Sequence, residues 1–168
     1  NLDRIIIWGN HEGPLRQALH KLKYRRDISL GDELSECLID VVRENKIKGD
    51  LVVPVPLSAK RLRERGYNQA ALLARPLALA FDIPYHPRSL KRIKETQTQV
   101  GLSIAQRREN VKGVFYANPV QVKGKTVILV DDVMTTGATI NEAGRTLKLA
   151  GANQVIGLTL AKAVKMNQ

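Results

Sequence analysis

The chain has 168 residues, enough for one domain with a substantial core, and 43% hydrophobic with 26% charged content excludes disordered and fibrous classes. No apolar run approaches a membrane span, no signal peptide opens the chain, and a single cysteine rules out an intrachain disulfide, so a cytoplasmic protein without membrane insertion is expected. The net charge of +11 would attract polyanions such as nucleic acid or polyphosphate, unless the charge is simply solvated.

Residues 2–8 start apolar and read as an edge strand. Residues 11–26 follow helical spacing, with Leu15, Ala18, Leu19 and Leu22 on one face and Arg16, His20, Lys23 and Arg26 off it. Solvation is the favoured reading of that basic face, a phosphate or DNA contact the lesser one. His11 and His20 lack the companions of a zinc site. A second helix is expected over residues 29–45, burying Leu30, Leu34, Cys37, Leu38, Val41 and Val42, with Asp32 and Glu33 suited to its N-terminal end. Cys37 then reads as a core thiol.

Residues 51–55 form the next buried strand, and Pro54-Val55-Pro56-Leu57-Ser58 leads from it into Lys60, Arg61, Arg63 and Arg65. Several guanidiniums behind a proline-constrained loop suit pyrophosphate, because Arg donates paired hydrogen bonds to phosphate oxygens. A solvated basic helix is the competing reading. Asn68 is a natural N-cap for a helix reaching Ala80, with a kink or break expected at Pro76. Residues 89–110 are polar and basic, and residues 94–99 carry no large apolar side chain, which predicts an exposed, mobile loop. Ser103 and Gln106 make a capping box for a short helix from Ile104. Residues 111–117 and 155–161 read as strands.

Residues 127–139 organise the rest: Val127, Ile128, Leu129 and Val130, then Asp131 and Asp132, then Thr135, Thr136, Gly137, Ala138 and Thr139. The apolar run predicts a strand buried on both faces. Ile140, Ala143, Gly144, Leu147 and Ala150 predict a helix stopped by Gly151. A helix N-terminus favours phosphate, and Gly137 lets the backbone approach it closely. The two acids suit the vicinal hydroxyls of a sugar. Together these describe a ribose 5-phosphate site. Acids at strand ends also occur in receiver-like domains, but those do not explain the Thr-Thr-Gly-Ala-Thr tail. Gly124-Lys125-Thr126 mimics the end of a nucleotide-binding loop, yet Pro119 replaces the required first glycine and the triplet precedes a strand. Strand–helix–strand order with short loops predicts an α/β fold with a doubly wound, mainly parallel sheet and helices on both faces, ligands lying beyond the carboxyl ends of the strands.

Val-Asp-Asp-Val-Met-Thr-Thr-Gly-Ala-Thr resembles the phosphoribosyl pyrophosphate (PRPP) signature of type I phosphoribosyltransferases. Leu22-Lys23-Tyr24, Val53-Pro54-Val55-Pro56-Leu57, Arg65-Gly66-Tyr67-Asn68-Gln69, Thr96-Gln97-Thr98-Gln99 and Arg107-Arg108-Glu109-Asn110 narrow the resemblance to the ComF/GntX family, which is similar to amidophosphoribosyltransferases and includes proteins needed for DNA uptake in natural transformation. The resemblance implies that Asp131 and Asp132 hold the ribose and serve catalysis. It also implies that residues Thr135, Thr136, Gly137, Ala138 and Thr139 hold the 5-phosphate, and that Pro56, Leu57, Ser58, Arg61 and Arg65 face pyrophosphate. Lys94, Thr96, Gln97, Gln99 and Arg107 would belong to a hood loop over PRPP, with a plain surface connector as the alternative. Mg²⁺ would arrive with PRPP rather than through direct protein ligands, and an unidentified nitrogen acceptor would displace pyrophosphate. A non-catalytic PRPP-responsive protein and a single-stranded DNA handling factor are the alternatives, and an oligomer is compatible with all three. Members of the family commonly begin with paired zinc-binding cysteines; the present chain reads as a single transferase-like domain over residues 1–168 without them, either cut away or lacking in this member.

Overall fold

The computed structural model describes residues 2–25, 27–96, 106 and 109–163. The chain begins with β1 (Arg4–Asn10), α1 (Gly13–Tyr24), α2 (Leu30–Glu44) and β2 (Leu51–Pro54). Then come α3 (Ala59–Arg65), α4 (Gln69–Ala80), β3 (Leu90–Arg92), β4 (Phe115–Ala117) and α5 (Pro119–Val122). It closes with β5 (Thr126–Met134), α6 (Ala138–Leu149) and β6 (Gln154–Lys162).

Apolar residues at both phases of a strand demand cover on both faces of the sheet. In β5, Ile128 and Val130 enter one core while Val127 and Leu129 enter the other; β2 divides likewise, Val52 against Leu51 and Val53. The resulting sheet has four strands in the order β1-β6-β5-β2, all parallel. On one face α1, α2 and α4 contribute Leu19, Leu22, Leu38, Val42, Leu73 and Leu77. On the other, α6 contributes Ile140, Ala143 and Leu147 beside Leu90, Phe115 and Ala117 of the small antiparallel β3–β4 pair. Cys37 is half-buried and packs against the first core, and burial raises its thiol pKa.

The site position follows from the connections. Val52 in β2 bonds on its free side to Pro84 O and His86 N, forming a single parallel bridge with Tyr85 after α4. The chain thus leaves β2 outward, away from β5, whereas β5 leaves through α6 toward β6 on the opposite side. β2 and β5 are therefore the neighbours whose connections diverge, and a crevice opens beyond their carboxyl ends.

Three local expectations differ from the structure. Residues 111–117 yield only the three-residue β4, which pairs antiparallel with an unforeseen β3 instead of joining the main sheet. Three residues are too few for periodicity to announce a strand; burial of Leu90, Phe115 and Ala117 makes it. α4 runs unbroken from Gln69 to Ala80 with Pro76 inside it. Leu73, Ala74, Leu77 and Ala78 on either side of the proline are all buried, so packing outweighs the lost backbone hydrogen bond. β5 does not end at the acids: Asp131 pairs with Thr159 and Val133 with Ala161, because β6 supplies a partner as far as Lys162. The capping box at Ser103 and the helix from Ile104 lie outside the described residues. No helix among the described residues is long and apolar enough to cross a membrane.

Candidate functional site

Each acid of β5 is oriented by the backbone that follows it. Asp131 Oδ1 accepts from Asp132 N at 2.9 Å, and Asp132 Oδ1 accepts from Val133 N at 2.8 Å. The second oxygen of Asp132 meets Lys23 Nζ at 2.6 Å, with the two side chains only 21% and 13% exposed in the order Lys23, Asp132. Asp131 is half-buried, and its pKa is pushed up to about 8. Burial is the main cause and the neighbouring Asp132 charge the next; the Asp132 N–H and the Lys23 ammonium act in the opposite direction. Asp131 therefore largely keeps its proton at neutral pH.

After β5 the chain turns through Gly137, whose φ of 77° lies in the left-handed region and which, as the N-cap of α6, brings no side chain of its own, while Thr136 Oγ1 accepts from Ala138 N at 3.4 Å. A Cβ there would stand 3.0 Å from Asn141 Nδ2 and 3.4 Å from Met134 Sδ. The loop thus needs glycine, and it presents a helix N-terminus beside the acids.

From β2 the chain reaches α3, whose N-cap Ser58 accepts from Arg61 N at 3.3 Å and whose C-cap is Gly66 in the left-handed region. Asn68 then fastens α4 to the end of β2: its Oδ1 accepts from Ala70 N at 3.1 Å and its Nδ2 donates to Val55 O at 3.0 Å. The last turn of α1 closes the arrangement. Tyr67 donates its hydroxyl to Leu22 O, and the Arg65 guanidinium lies 5.4 Å from the centre of the Tyr24 ring.

A cleft of about 440 Å³ joins these parts, with Pro56, Leu57, Arg61, Arg65, Thr96, Asp131, Asp132, Thr135 and Thr139 in its walls. Ser58, Arg61, Arg65 and Thr96 also border an adjoining basic cavity of about 550 Å³. Thr136 and Ala138 face a different hollow, shared with Asn141, Glu142 and Arg145, and Gly137 is buried between. Lys94 lines neither cleft; its ammonium lies toward Gly113. Gln97, Gln99 and Arg107 lie outside the described residues.

Lys23, His11, Arg92 and Gln69 also line the cleft, and the residue pattern did not single them out as site residues. Lys23 was expected on a solvated face and is instead paired with Asp132; its position within the quoted Leu-Lys-Tyr was the available signal. His11 has a lowered pKa, chiefly from burial and then from Lys23 and Arg16. Arg92 is half-buried, bonds Thr96 Oγ1 at 2.5 Å, and has its pKa lowered by burial and by Arg61, a shift that leaves a guanidinium charged. Gln69 is 2% exposed, and its Nε2 has no hydrogen-bond partner among the described residues. Glu95 accepts from Lys60 N at 3.2 Å, and its pKa is lowered first by that bond.

With this geometry in view, residues 62–165 match the phosphoribosyl transferase domain. The chain is 36% identical to competence protein F of Haemophilus influenzae, over 96% of its own length and 73% of that protein's. It is 32% identical to DNA utilization protein YhgH of Escherichia coli strain K12, over 90% of its length and 69% of that protein's. Among solved structures it superposes on glutamine PRPP amidotransferase from B. subtilis with a TM-score of 0.54 at 24% identity, covering 77% of this chain and 26% of that enzyme. That likeness speaks for the fold alone. The chain belongs to the phosphoribosyltransferase domain family, in its ComF group.

Proposed function

We propose that the chain binds PRPP and transfers its phosphoribosyl group to a nitrogen acceptor with release of pyrophosphate. One convergence carries this reading: two acids, a glycine-turned helix N-terminus and the arginines of α3 meet where β2 and β5 diverge. Asp131 and Asp132 face the ribose hydroxyls, each carboxyl oriented by one oxygen held on a backbone N–H. Thr135 and Thr139, the turn residues that line the cleft, receive the 5-phosphate, with Gly137 setting the turn between them. Ser58, Arg61 and Arg65, with Pro56 and Leu57 shaping the loop, receive pyrophosphate. In the reaction the bond from C1 to the pyrophosphate oxygen breaks with its electron pair on the leaving group, and the nitrogen lone pair forms the new bond to C1. Guanidiniums already fixed beside the leaving group stabilise its growing charge.

The donor set bears on magnesium as well. Among the described residues no group of three or more Asp, Glu, His or Cys side chains could cage a metal. An ion that would arrive with PRPP fits such a site, as Mg²⁺ commonly binds with few protein ligands. When bound it would screen the charge of the leaving pyrophosphate. The test is stoichiometric, magnesium-dependent pyrophosphate release across a panel of ammonia, amines and nucleobases. Release that never exceeds PRPP hydrolysis with any acceptor would leave a PRPP-responsive binding protein in place of an enzyme.

A second reading has its own observation. α1 bears a groove of about 520 Å³ formed by Arg16, Gln17, His20, Lys21 and Arg25, and Tyr24 next to it is 64% exposed. Cations interleaved with an exposed aromatic suit single-stranded DNA, and the names of the two relatives concern competence and DNA utilization. An oligonucleotide titration checks it: affinity should fall steeply with salt, and absent or salt-independent binding ends that reading.

A further inference from the structure

We infer that Lys23 is a residue of the leaving-group site, an ammonium that bridges Asp132 and the pyrophosphate. The inference rests on the PRPP reading above and adds a residue from α1, outside both loops that form that site. Lys23 alone of the α1 cations is drawn into the cleft, 2.6 Å from Asp132 Oδ2 with its side chain 21% exposed. It lines both the cleft that holds the acids and the adjoining basic cavity of Ser58, Lys60, Arg61, Arg65 and Arg92. It therefore stands at the junction between the sugar floor and the cationic lobe.

Hydrogen-bond capacity favours a bridge over a plug. An ammonium has three donors, and Asp132 Oδ2 takes one of them. Asp132 Oδ2 is covered beneath the ammonium and Oδ1 stays with Val133 N, so the remaining Lys23 donors are what this edge of the cleft offers to an incoming anion. The other cations of the lobe are partly engaged, Arg65 over the Tyr24 ring and Arg92 with Thr96 and over Phe115. The C-terminal turn of α1 is itself anchored by the Tyr67 bond to Leu22 O, which fixes the root of the lysine stem. Lys23 acts through the hydrogen bonds it donates.

The test compares inorganic pyrophosphate, ribose 5-phosphate and Mg·PRPP by calorimetry on the parent, Lys23→Met and Lys23→Arg. Lys23→Met should weaken pyrophosphate and PRPP at least tenfold and ribose 5-phosphate less than threefold, with Lys23→Arg recovering part of the loss. Equal weakening of all three ligands, or tighter PRPP binding by Lys23→Met, would overturn the bridge and mark a structural pair or a plug. A parent that binds PRPP with the Met variant unchanged removes this inference alone, whereas a parent that binds neither PRPP nor pyrophosphate removes both readings. If Lys23→Met does not fold, amine acylation of the parent read by mass spectrometry decides. Pyrophosphate should protect Lys23 and ribose 5-phosphate should not; no protection by pyrophosphate would refute the bridge.

Discussion

Asp131 shows how a side chain's setting becomes a measurable property. Its pKa of about 8 stands against an ordinary value of 3.8, so the folded chain keeps a proton that the unfolded chain loses above pH 4 or so. The folded state then binds more protons across that window, and Asp131 makes folding steadily less favourable as pH rises from about 4 to about 8. Asp131→Asn removes the ionisation. Its melting temperature should gain on the parent's through that window, by about 2–4 °C for each kcal/mol recovered. Parallel melting curves at every pH would mean that the acid is not perturbed. Gly137 is the second residue-scale case. Its φ of 77° and the 3.0 Å approach to Asn141 Nδ2 make Gly137→Ala cost about 1–2 kcal/mol in denaturant unfolding. The same substitution should weaken PRPP binding more than pyrophosphate binding, because the strain falls on the phosphate turn.

At the level of elements, the site exists because short segments are fastened to strand ends. Asn68 both caps α4 and donates to Val55 O, so Asn68→Ala removes a cap and orphans a half-buried link. A loss of about 1–2 kcal/mol is expected, with the α3 loop loosened and pyrophosphate affinity reduced. Unchanged stability by chemical denaturation would show the cap to be redundant. The elements also show where sequence reading succeeds. Asn68 as N-cap, the double-faced β5, and the helix closed at Gly151 each rest on local chemistry that a few adjacent residues express. β3 and β4 rest on pairing between segments distant in sequence, Leu90 with Ala117 and Arg92 with Phe115, and nothing in either triplet records its partner. Lys23 was misread for a similar reason. Helical spacing assigned it to the outer face, but its long stem lets the ammonium reach Asp132 from the edge of that face.

On the scale of the whole molecule, the parallel sheet supplies two strand ends that face one crevice, and the chain's net charge of +11 supplies a field that draws anions toward it. Both the PRPP and the single-stranded DNA readings draw on that field. They separate by ionic strength: a ligand held by backbone amides, acids and a few guanidiniums should lose less affinity with salt than a polyanion that displaces many counterions. The fold and the family were legible in residues 127–139 because strand, acids and phosphate turn are contiguous there. The full wall of the cleft was not, since it gathers Lys23, Gln69 and Arg92 from α1, α4 and β3 and His11 from the connection before α1.

The decisive measurement is a calorimetric titration of Mg·PRPP into the parent and into a variant carrying both Asp131→Ala and Asp132→Ala. Saturable binding by the parent, with at least a tenfold loss in a variant of parent-like thermal stability, is the expected result. A folded parent that binds no PRPP would contradict the proposed site and leave the basic groove of α1 as the functional surface to pursue.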